Sequence, residues 1–280
     1  MNLIKEGDII DGWFLNFNTN MQNLLHNAEE VPKNKKLIIF DLDGTLAESK
    51  SDMDGEMALL MQKLLEKKLV AVIGGGKYEL FQRQLISHLH VSSELLKNLY
   101  LFPTTGTSYY QYVNNDWVQI YKQEFTKEEK DKILSAFDKV FAELNYKHPD
   151  KIYGQLIEDR GGEITFSVFG QEAPIEIKEK WNKENPDVRS KMESILQNNL
   201  PDMEVKVAGL TSIDVTRRGI DKGYGVKQIR EYLDIPFEDM LFVGDAFFYE
   251  GNDEAVLGTG ILCLEVKTIE DTKKLIRHLL

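Results

Sequence analysis

Asp41 and Asp43 stand two positions apart at the end of an apolar run, and Gly44 follows them. On an extended backbone, residues i and i+2 point to the same face, so the two carboxylates would lie a few ångströms apart. Carboxylates this close repel each other, and a divalent cation with oxygen ligands relieves the repulsion. The pair suits a site in which one carboxylate is a nucleophile and the other an acid/base. The alternative is an acidic turn without chemistry, since Asp and Gly are common turn residues.

The apolar run that carries this pair, Leu37–Phe40, predicts a short strand buried on both faces, as in a parallel sheet. A helical pattern, a second apolar strand at Leu69–Ile73 and another helical pattern follow. This alternation predicts a parallel α/β sheet, in which ligands bind beyond the carboxyl ends of the strands. The glycines after the second strand are expected at the same crevice as a phosphate cradle: Gly74, Gly75 and Gly76. Their spacing is not that of a dinucleotide-binding loop.

Two later junctions of a strand or loop with a helix carry polar residues of the same kind. Lys222 stands at the start of a predicted helix, Asp245 ends an apolar run, and Asn252 and Asp253 follow one loop later. Taken singly, these residues suit a solvated lysine, a turn aspartate and a helix cap. In a parallel sheet such positions share one edge, so we expect them beside Asp41. A bound anion would also favour a lysine at a helix start, where the helix dipole disfavours it.

The sequence Asp41-Leu42-Asp43-Gly44-Thr45 after an apolar strand resembles motif I of the haloacid dehalogenase superfamily of phosphatases and phosphomutases. The resemblance implies that Asp41 is a nucleophile that forms an aspartyl phosphate and that Asp43 is the acid/base. It also implies that Thr45 holds the phosphoryl oxygens and that Lys222 ties the nucleophile to the transferred group. The implied cofactor is Mg²⁺, held by Asp41, the backbone carbonyl of Asp43, and Asp245, with help from Asn252 or Asp253. The superfamily's second motif usually carries Ser or Thr where this chain has glycines, so one hydrogen bond to phosphate is missing.

The same resemblance implies an α/β fold with a Rossmann-like parallel-sheet core and an inserted α+β cap domain. Residues 123–209 are predicted to form helices and strands with a period-2 character unlike their surroundings. We therefore expect a core of residues 31–122 and 210–280, a cap of residues 123–209, and an N-terminal arm of residues 1–30. A cap inserted between the second and third motifs resembles that of the class IIB group.

Within this group, the chain resembles the eukaryotic-type phosphomannomutases over most of residues 36–260. The similar stretches are Val72–Gly76, Arg160–Glu163, Ser212–Val215, Asp221-Lys222, Gly244-Asp245 and Gly251–Asp253. The resemblance implies that Arg160 and Asp214 bind substrate. A mutase binds a second phosphate in the cap through arginines, and Gln171 stands where a second arginine is expected. Glutamine cannot make the bidentate charged contact that arginine makes with phosphate.

We therefore expect a magnesium-dependent phosphatase that acts on a small phosphorylated metabolite, a phosphosugar by resemblance. The alternative is a phosphomannomutase that interconverts mannose 1-phosphate and mannose 6-phosphate. A third interpretation is a non-catalytic phosphosugar-binding protein. The intact acidic residues and Lys222 argue against the third, and the missing hydroxyl after the second strand argues for it.

Composition excludes several classes of partner. The chain has 280 residues and a formal net charge of −12, which repels nucleic acid. No apolar run approaches the roughly 20 residues of a membrane span, and the first residues lack the apolar core of a signal peptide. We expect a cytoplasmic protein with a small phosphorylated substrate and no nucleic-acid or membrane partner, and we leave open a homodimer through the cap. The single cysteine, Cys263, excludes an internal disulfide.

Overall fold

The computed structural model describes residues 21–49, 51–248 and 251–280. Most of the predicted N-terminal arm, residues 1–30, lies outside these ranges. In the described part of the arm, Leu24–Leu25 form a two-residue strand parallel to Cys263 and Leu264. The end of the arm therefore extends the main sheet by one short edge strand.

Strands and helices alternate in the first part of the chain and again after residue 221. The strands are, in chain order, β1 (Leu24–Leu25), β2 (Leu37–Asp41), β3 (Leu69–Ile73), β4 (Leu99–Phe102), β5 (Ser108–Val113), β6 (Asp116–Lys122), β7 (Ile157–Asp159), β8 (Glu163–Ser167), β9 (Met203–Ala208), β10 (Ser212–Arg217), β11 (Met240–Gly244) and β12 (Leu262–Glu265). The helices are α1 (Gly55–Leu65), α2 (Tyr78–Gln84), α3 (Ser93–Leu96), α4 (Lys127–Glu143), α5 (Ile175–Glu184), α6 (Val188–Asn199), α7 (Lys222–Leu233), α8 (Glu254–Leu257) and α9 (Ile269–Leu279). A distorted helical turn at Pro103–Gly106 follows β4. Short 3₁₀ turns lie at Met21–Asn23, Ala28–Glu30, Ile86–His88 and Phe237–Asp239.

Eight strands form one sheet in the order β1-β12-β11-β2-β3-β4-β5-β6. The neighbours from β1 to β4 are all parallel, and β5 joins β4 antiparallel. Every residue of β2 is buried, because alternate side chains enter two different apolar cores, one on each face of the sheet. Each crossover returns the chain to the same edge, so the carboxyl ends of β2, β3 and β11 lie side by side. The predicted parallel α/β core is confirmed.

Lys122–Ile220 form a second compact unit, and the described residues up to 121 together with Asp221–Leu280 form the first. The second unit has a four-stranded antiparallel sheet in the order β7-β8-β10-β9. Helices α4 and α6 supply apolar side chains to its core, among them Phe137 and Met192. Helix α4 begins at a capping box between Thr126 and Glu129. The inserted segment thus has the expected α+β character.

The C-terminal boundary of the second unit lies at residue 220, whereas the sequence predicts 209. Residues 210–220 were expected in the core, but strand β10 pairs with β8 on one side and β9 on the other. The prediction is wrong because the sequence of a strand does not by itself determine which strands it pairs with. The alternation in β10 was a usable signal: Ile213 and Val215 are buried, and the alternating residues Ser212, Asp214 and Thr216 are less completely buried. Such a pattern is typical of a sheet with one covered face.

Among the described helices, none combines the length and the apolar composition that crossing a bilayer requires. Cys263 is buried in β12 and carries a free thiol.

Candidate active site

Asp41 is the last residue of β2 and is 3% exposed. Its neighbours in the sheet are β3, where Ile73 lies opposite, and β11. Lys222 is the first residue of α7, which begins there because the Asp221 side chain accepts a hydrogen bond from the Tyr224 backbone N–H at 2.8 Å. Two glycines in the first turns of α7 then allow close packing, Gly223 against the backbone of Ala255 in α8 and Gly225 against Ile73 of β3 and the backbone of Thr105. A Cβ at Gly225 would lie 2.9 Å from the Thr105 carbonyl oxygen and 2.3 Å from Ile73 Cδ1, so a side chain there would push the start of α7 away from the backbone of Thr105.

The Lys222 ammonium is 2% exposed and donates to three oxygens. The distances from Nζ are 2.6 Å to Asp41 Oδ1, 2.6 Å to Asp253 Oδ1 and 2.9 Å to Asn252 Oδ1. An ammonium has three N–H donors, so each of them meets one acceptor. A charge buried this deeply is tolerated only when it is paired and hydrogen-bonded. The predicted convergence of Asp41, Lys222, Asn252 and Asp253 is therefore found.

Asp245, at the end of β11, completes a cluster of carboxylates with Asp41 and Asp253. One oxygen of each of the three lies within 4.8 Å of the others. Asp253 is committed to the protein, because Oδ1 accepts from Lys222 and Oδ2 accepts from the Ala246 N–H at 3.0 Å. Hard carboxylate oxygens are what Mg²⁺ prefers, so the donor set fits a divalent cation. Asp41 and Asp245 are the side chains suited to bind it, and Asp253 is suited to support them.

Charge crowding at this cluster shifts several pKa values. Burial raises the pKa of Asp41 to about 7; Lys222 opposes the shift, and Asp253 and Asp245 add to it. Burial also raises the pKa of Asp245, with Asp253 contributing in the same direction. For Lys222, burial alone would lower the pKa, but Asp253 and Asp41 raise it above its ordinary value. The site thus holds more negative charge than its lysine balances, and a bound cation would relieve the excess.

Two glycines make room for this cluster. Gly44 has a φ of +83°, and a Cβ there would lie 2.3 Å from Asp245 Oδ2. At Gly244, a Cβ would lie 2.3 Å from Asp253 Oδ2. Any side chain at either position would displace a carboxylate of the cluster. Glycine at positions 44 and 244 therefore leaves space for the carboxylates of the cluster, and Gly44 also allows the turn after Asp43.

Thr45 is fully buried, and its hydroxyl has no hydrogen-bond partner among the described residues. Leaving a buried hydroxyl unpaired costs free energy, so such an atom calls for an explanation. A phosphoryl oxygen bound next to Asp41 and Asp43 would supply the missing partner. This geometry agrees with the role that the sequence predicts for Thr45.

Gly74, Gly75 and Gly76 follow β3, at the same edge of the sheet. The segment after β4 covers them: Thr105 N–H donates to Gly74 O at 2.9 Å, and Thr104 N–H donates to Gly76 O at 2.9 Å. Thr104 and Thr105 both have left-handed backbones, with φ of 50° and 58°. Threonine rarely adopts this conformation, and such strain concentrates at functional sites. The sequence gives no sign of this turn except its Pro-Thr-Thr-Gly composition.

Arg160 and Asp214, predicted to bind substrate, lie near each other in the second unit, Asp214 in β10 and Arg160 in the turn between β7 and β8. Arg160 donates from Nε to Glu158 at 2.8 Å, from Nη1 to Glu163 at 2.7 Å and from Nη2 to Gln171 at 3.4 Å. Asp214 lies opposite Thr165 in the sheet. Burial raises the pKa of Asp214 to about 7; Glu163 adds to the shift, and Arg160 opposes it. The sequence does not identify Glu158 and Glu163 as partners of Arg160, because the sequence alone does not show which side chains of the strands face the arginine.

The family model of eukaryotic phosphomannomutase matches residues 57–280 of this chain. The phosphomannomutase of Spinacia oleracea is 27% identical over 227 residues, which cover 80% of this chain and 86% of that protein. The phosphomannomutase of Saccharomyces cerevisiae is 25% identical over 253 residues, which cover 88% of this chain and 95% of that protein. The family match begins after Asp41 and Thr45, so the roles of these two residues are inferred from the Asp41–Thr45 motif and from the geometry of the site.

Solved structures also resemble this fold. The IMP-nucleotidase of Plasmodium falciparum superposes with a TM-score of 0.63 and 18% identity, covering 90% of this chain and 70% of that one. A haloacid dehalogenase-like hydrolase of Bacteroides thetaiotaomicron superposes with a TM-score of 0.58 and 15% identity, covering 86% of this chain and 92% of that one. At such identities the likeness concerns the fold alone.

Proposed function

Because the chain belongs to the eukaryotic phosphomannomutase family, within the haloacid dehalogenase superfamily, we propose that it transfers phosphoryl groups of phosphosugars through an aspartyl phosphate on Asp41. The observation that carries the proposal is the buried arrangement of Lys222, Asp41 and Asp253, with Asp245 beside it. It combines a nucleophile, a fixed cation and excess carboxylate charge at one point. A folded protein without a reaction to perform has little reason to keep such an arrangement.

In the proposed reaction, an Asp41 oxygen attacks phosphorus and the bond from phosphorus to the sugar oxygen breaks. Asp43 gives a proton to the leaving oxygen. It later takes a proton from the water or sugar hydroxyl that attacks phosphorus, while the bond from phosphorus to Asp41 breaks and frees the Asp41 carboxylate. Lys222 orients Asp41 and offsets charge on the phosphoryl group, to which the Thr45 hydroxyl donates a hydrogen bond. Asp41, Asp245 and the backbone carbonyl of Asp43 would hold Mg²⁺, which supplies further charge neutralisation when bound.

Interconversion of mannose 1-phosphate and mannose 6-phosphate is the first candidate outcome. Family membership supports it, and so do relatives named phosphomannomutase that match most of the chain. The comparisons thus favour isomerisation over the hydrolysis that the sequence predicts from Gln171.

Hydrolysis is the second candidate, and the surroundings of Arg160 favour it. The guanidinium is paired with Glu158 and Glu163, and Asp214 adds a third carboxyl group nearby. One positive charge among three carboxyl groups attracts a second phosphate poorly. Gln171, the remaining partner, contributes no charge.

One assay separates these outcomes. The protein is incubated with Mg²⁺, mannose 1-phosphate and a hexose bisphosphate activator, and both mannose 6-phosphate and free phosphate are measured. Formation of the 6-phosphate identifies a mutase, and free phosphate alone identifies a phosphatase. Neither product across a panel of phosphosugars would refute the proposal and leave the non-catalytic binding protein. The Asp41→Asn variant is the control for contaminating enzymes.

A further inference from the structure

A basic pocket lies at the amino-terminal edge of the main sheet. It has a volume of about 350 Å³, and the residues that matter in its lining are Lys35, Lys36, Glu66, Lys67, Lys68 and Asn98. Lys36 immediately precedes β2, and Asn98 immediately precedes β4. Asp41 is at the other end of β2, and five extended residues span about 15 Å. The pocket lies at the amino-terminal ends of the strands, and the carboxylate cluster lies at their carboxyl ends, so the two sites are separate.

The charge of the pocket is opposite to that of the protein. Four lysines and one glutamate line it, a formal charge of +3, in a chain whose formal net charge is −12. The lysines come from two segments, one before β2 and one after α1, and Lys35 and Lys68 are 33 residues apart in sequence. The fold therefore brings together lysines that are far apart in the sequence.

The two least exposed lysines are only partly satisfied. Lys35 is 8% exposed and donates to Glu238 O at 2.7 Å. Lys68 donates to Lys33 O at 2.6 Å and to Lys35 O at 2.7 Å. These acceptors are neutral carbonyls, and each ammonium keeps at least one N–H without an acceptor in the described part of the chain. Burial lowers the pKa of both lysines, because removing a cation from water is unfavourable; Asp239 and Glu238 oppose the shift at Lys35, and Lys67 adds to it at Lys68.

The other two lysines have partners on one side of the pocket. Lys36 forms an ion pair with Asp239 at 2.7 Å, and Lys67 donates to the main-chain oxygen of Leu280. Glu66 is exposed. The charges of both Asp239 and Glu238 act on Lys35, and counting these two carboxylates with the lining lowers the formal charge from +3 to +1. An anion in the pocket would gain from this excess more than a neutral molecule of the same size.

We propose that this pocket binds a small phosphate-bearing anion with at least two negative charges. Lysine ammonium groups are compact point charges that contact phosphate oxygens from several directions, and the volume lies at the lower end of that of small-molecule sites. The site is distinct from the one where Asp41 acts, and its occupation requires neither a divalent cation nor turnover.

The test is a calorimetric titration of the full chain with pyrophosphate, in the presence of a chelator that removes divalent cations. The protein should bind pyrophosphate, and the double variant Lys67→Gln/Lys68→Gln should bind it at least tenfold more weakly. Lys132→Gln/Lys180→Gln removes two exposed lysines of the second unit and should change the affinity less than twofold. Equal affinity of the native chain and the Lys67/Lys68 variant would overturn the proposal. Equal weakening by both double variants, or no binding at millimolar pyrophosphate, would do the same.

A second measurement needs no variant. In ¹H–¹⁵N spectra of the native chain, pyrophosphate should shift the amide signals of residues 34–36, 67–69 and 98. Shifts confined to the residues around Asp41 and Gly74–Gly76 would overturn the proposal, because they would place the anion at the opposite edge of the sheet. Both measurements are made without metal or turnover, so their outcome is independent of the catalytic activity.

Discussion

Each compact unit holds an ionic cluster of one cation and three carboxyl groups, and the two clusters differ in how the carboxyl groups are arranged. Around Lys222, oxygens of Asp41, Asp245 and Asp253 converge within 4.8 Å. No other convergent group of this kind occurs in the described ranges. Around Arg160, the carboxylates of Glu158 and Glu163 each bind a separate nitrogen of the guanidinium. The two clusters have the same number of charged groups. Only the one in which the carboxylate oxygens converge leaves an excess of negative charge at one point, where a bound cation could neutralise it.

Among the variants that test this comparison, Asp41→Asn should have the largest effect, which is a loss of activity. The amide cannot attack phosphorus, so we expect kcat to fall by at least about 10⁴-fold. Circular dichroism and the melting temperature should show that the variant is folded. Turnover within tenfold of the native rate would mean that the converging cluster is not the reaction centre.

Arg160→Met should mainly affect stability. It leaves Glu158 and Glu163 without their cation, and breaking a largely buried ion pair costs about 3 kcal/mol of unfolding free energy. Arg217→Met, at an ion pair of the same unit whose side chains are more exposed, at 34% and 25%, should cost about 1 kcal/mol or less. Urea unfolding measures both. If Arg160→Met keeps full stability and loses activity, Arg160 serves a ligand and the contrast between the clusters fails.

Thr45→Val removes the buried hydroxyl and keeps the shape of the side chain. Because the hydroxyl has no partner in the described residues, its loss should not lower the melting temperature. The loss of its hydrogen bond to a phosphoryl oxygen should lower kcat/KM by about tenfold or more. Thr45→Ser, which retains the hydroxyl, should keep most of the activity. A destabilised Thr45→Val variant with unchanged kcat/KM would assign Thr45 to packing.

Asp214→Asn should have the smallest effect, and the effect should depend on pH. Burial raises the pKa of Asp214 to about 7, so between about pH 4 and 7 the folded chain holds a proton that the unfolded chain has released. The free energy of unfolding therefore falls as the pH rises through this window. Asparagine resembles the protonated form, so it should raise the melting temperature by a few degrees at pH 8 and little at pH 5. Exposed Asp202, changed to Asn, is the control, and an equal effect at both pH values would contradict the shift.

The sequence predicts the Lys222 cluster well because its residues occupy strand and helix ends, and a parallel sheet brings such ends to one edge. Asp41, Lys222, Asn252 and Asp253 are brought together in this way. The sequence predicts the Arg160 cluster poorly, because antiparallel partners depend on pairing that a strand does not encode. Strand β10 was assigned to the wrong unit for this reason. The lysine pocket also escapes prediction, since Lys35 and Lys68 meet only through the crossover that α1 makes.

The most direct test of the central claim is to trap the covalent intermediate. Native protein is mixed with Mg²⁺ and a phosphosugar that it turns over, quenched in acid within one turnover, digested and analysed by mass spectrometry. We predict a phosphoryl group on Asp41 and on no other residue of its peptide, and none in Asp41→Asn. A phosphoryl group on a different residue, or steady turnover without any phosphorylated peptide, would contradict the assignment of Asp41 as the nucleophile.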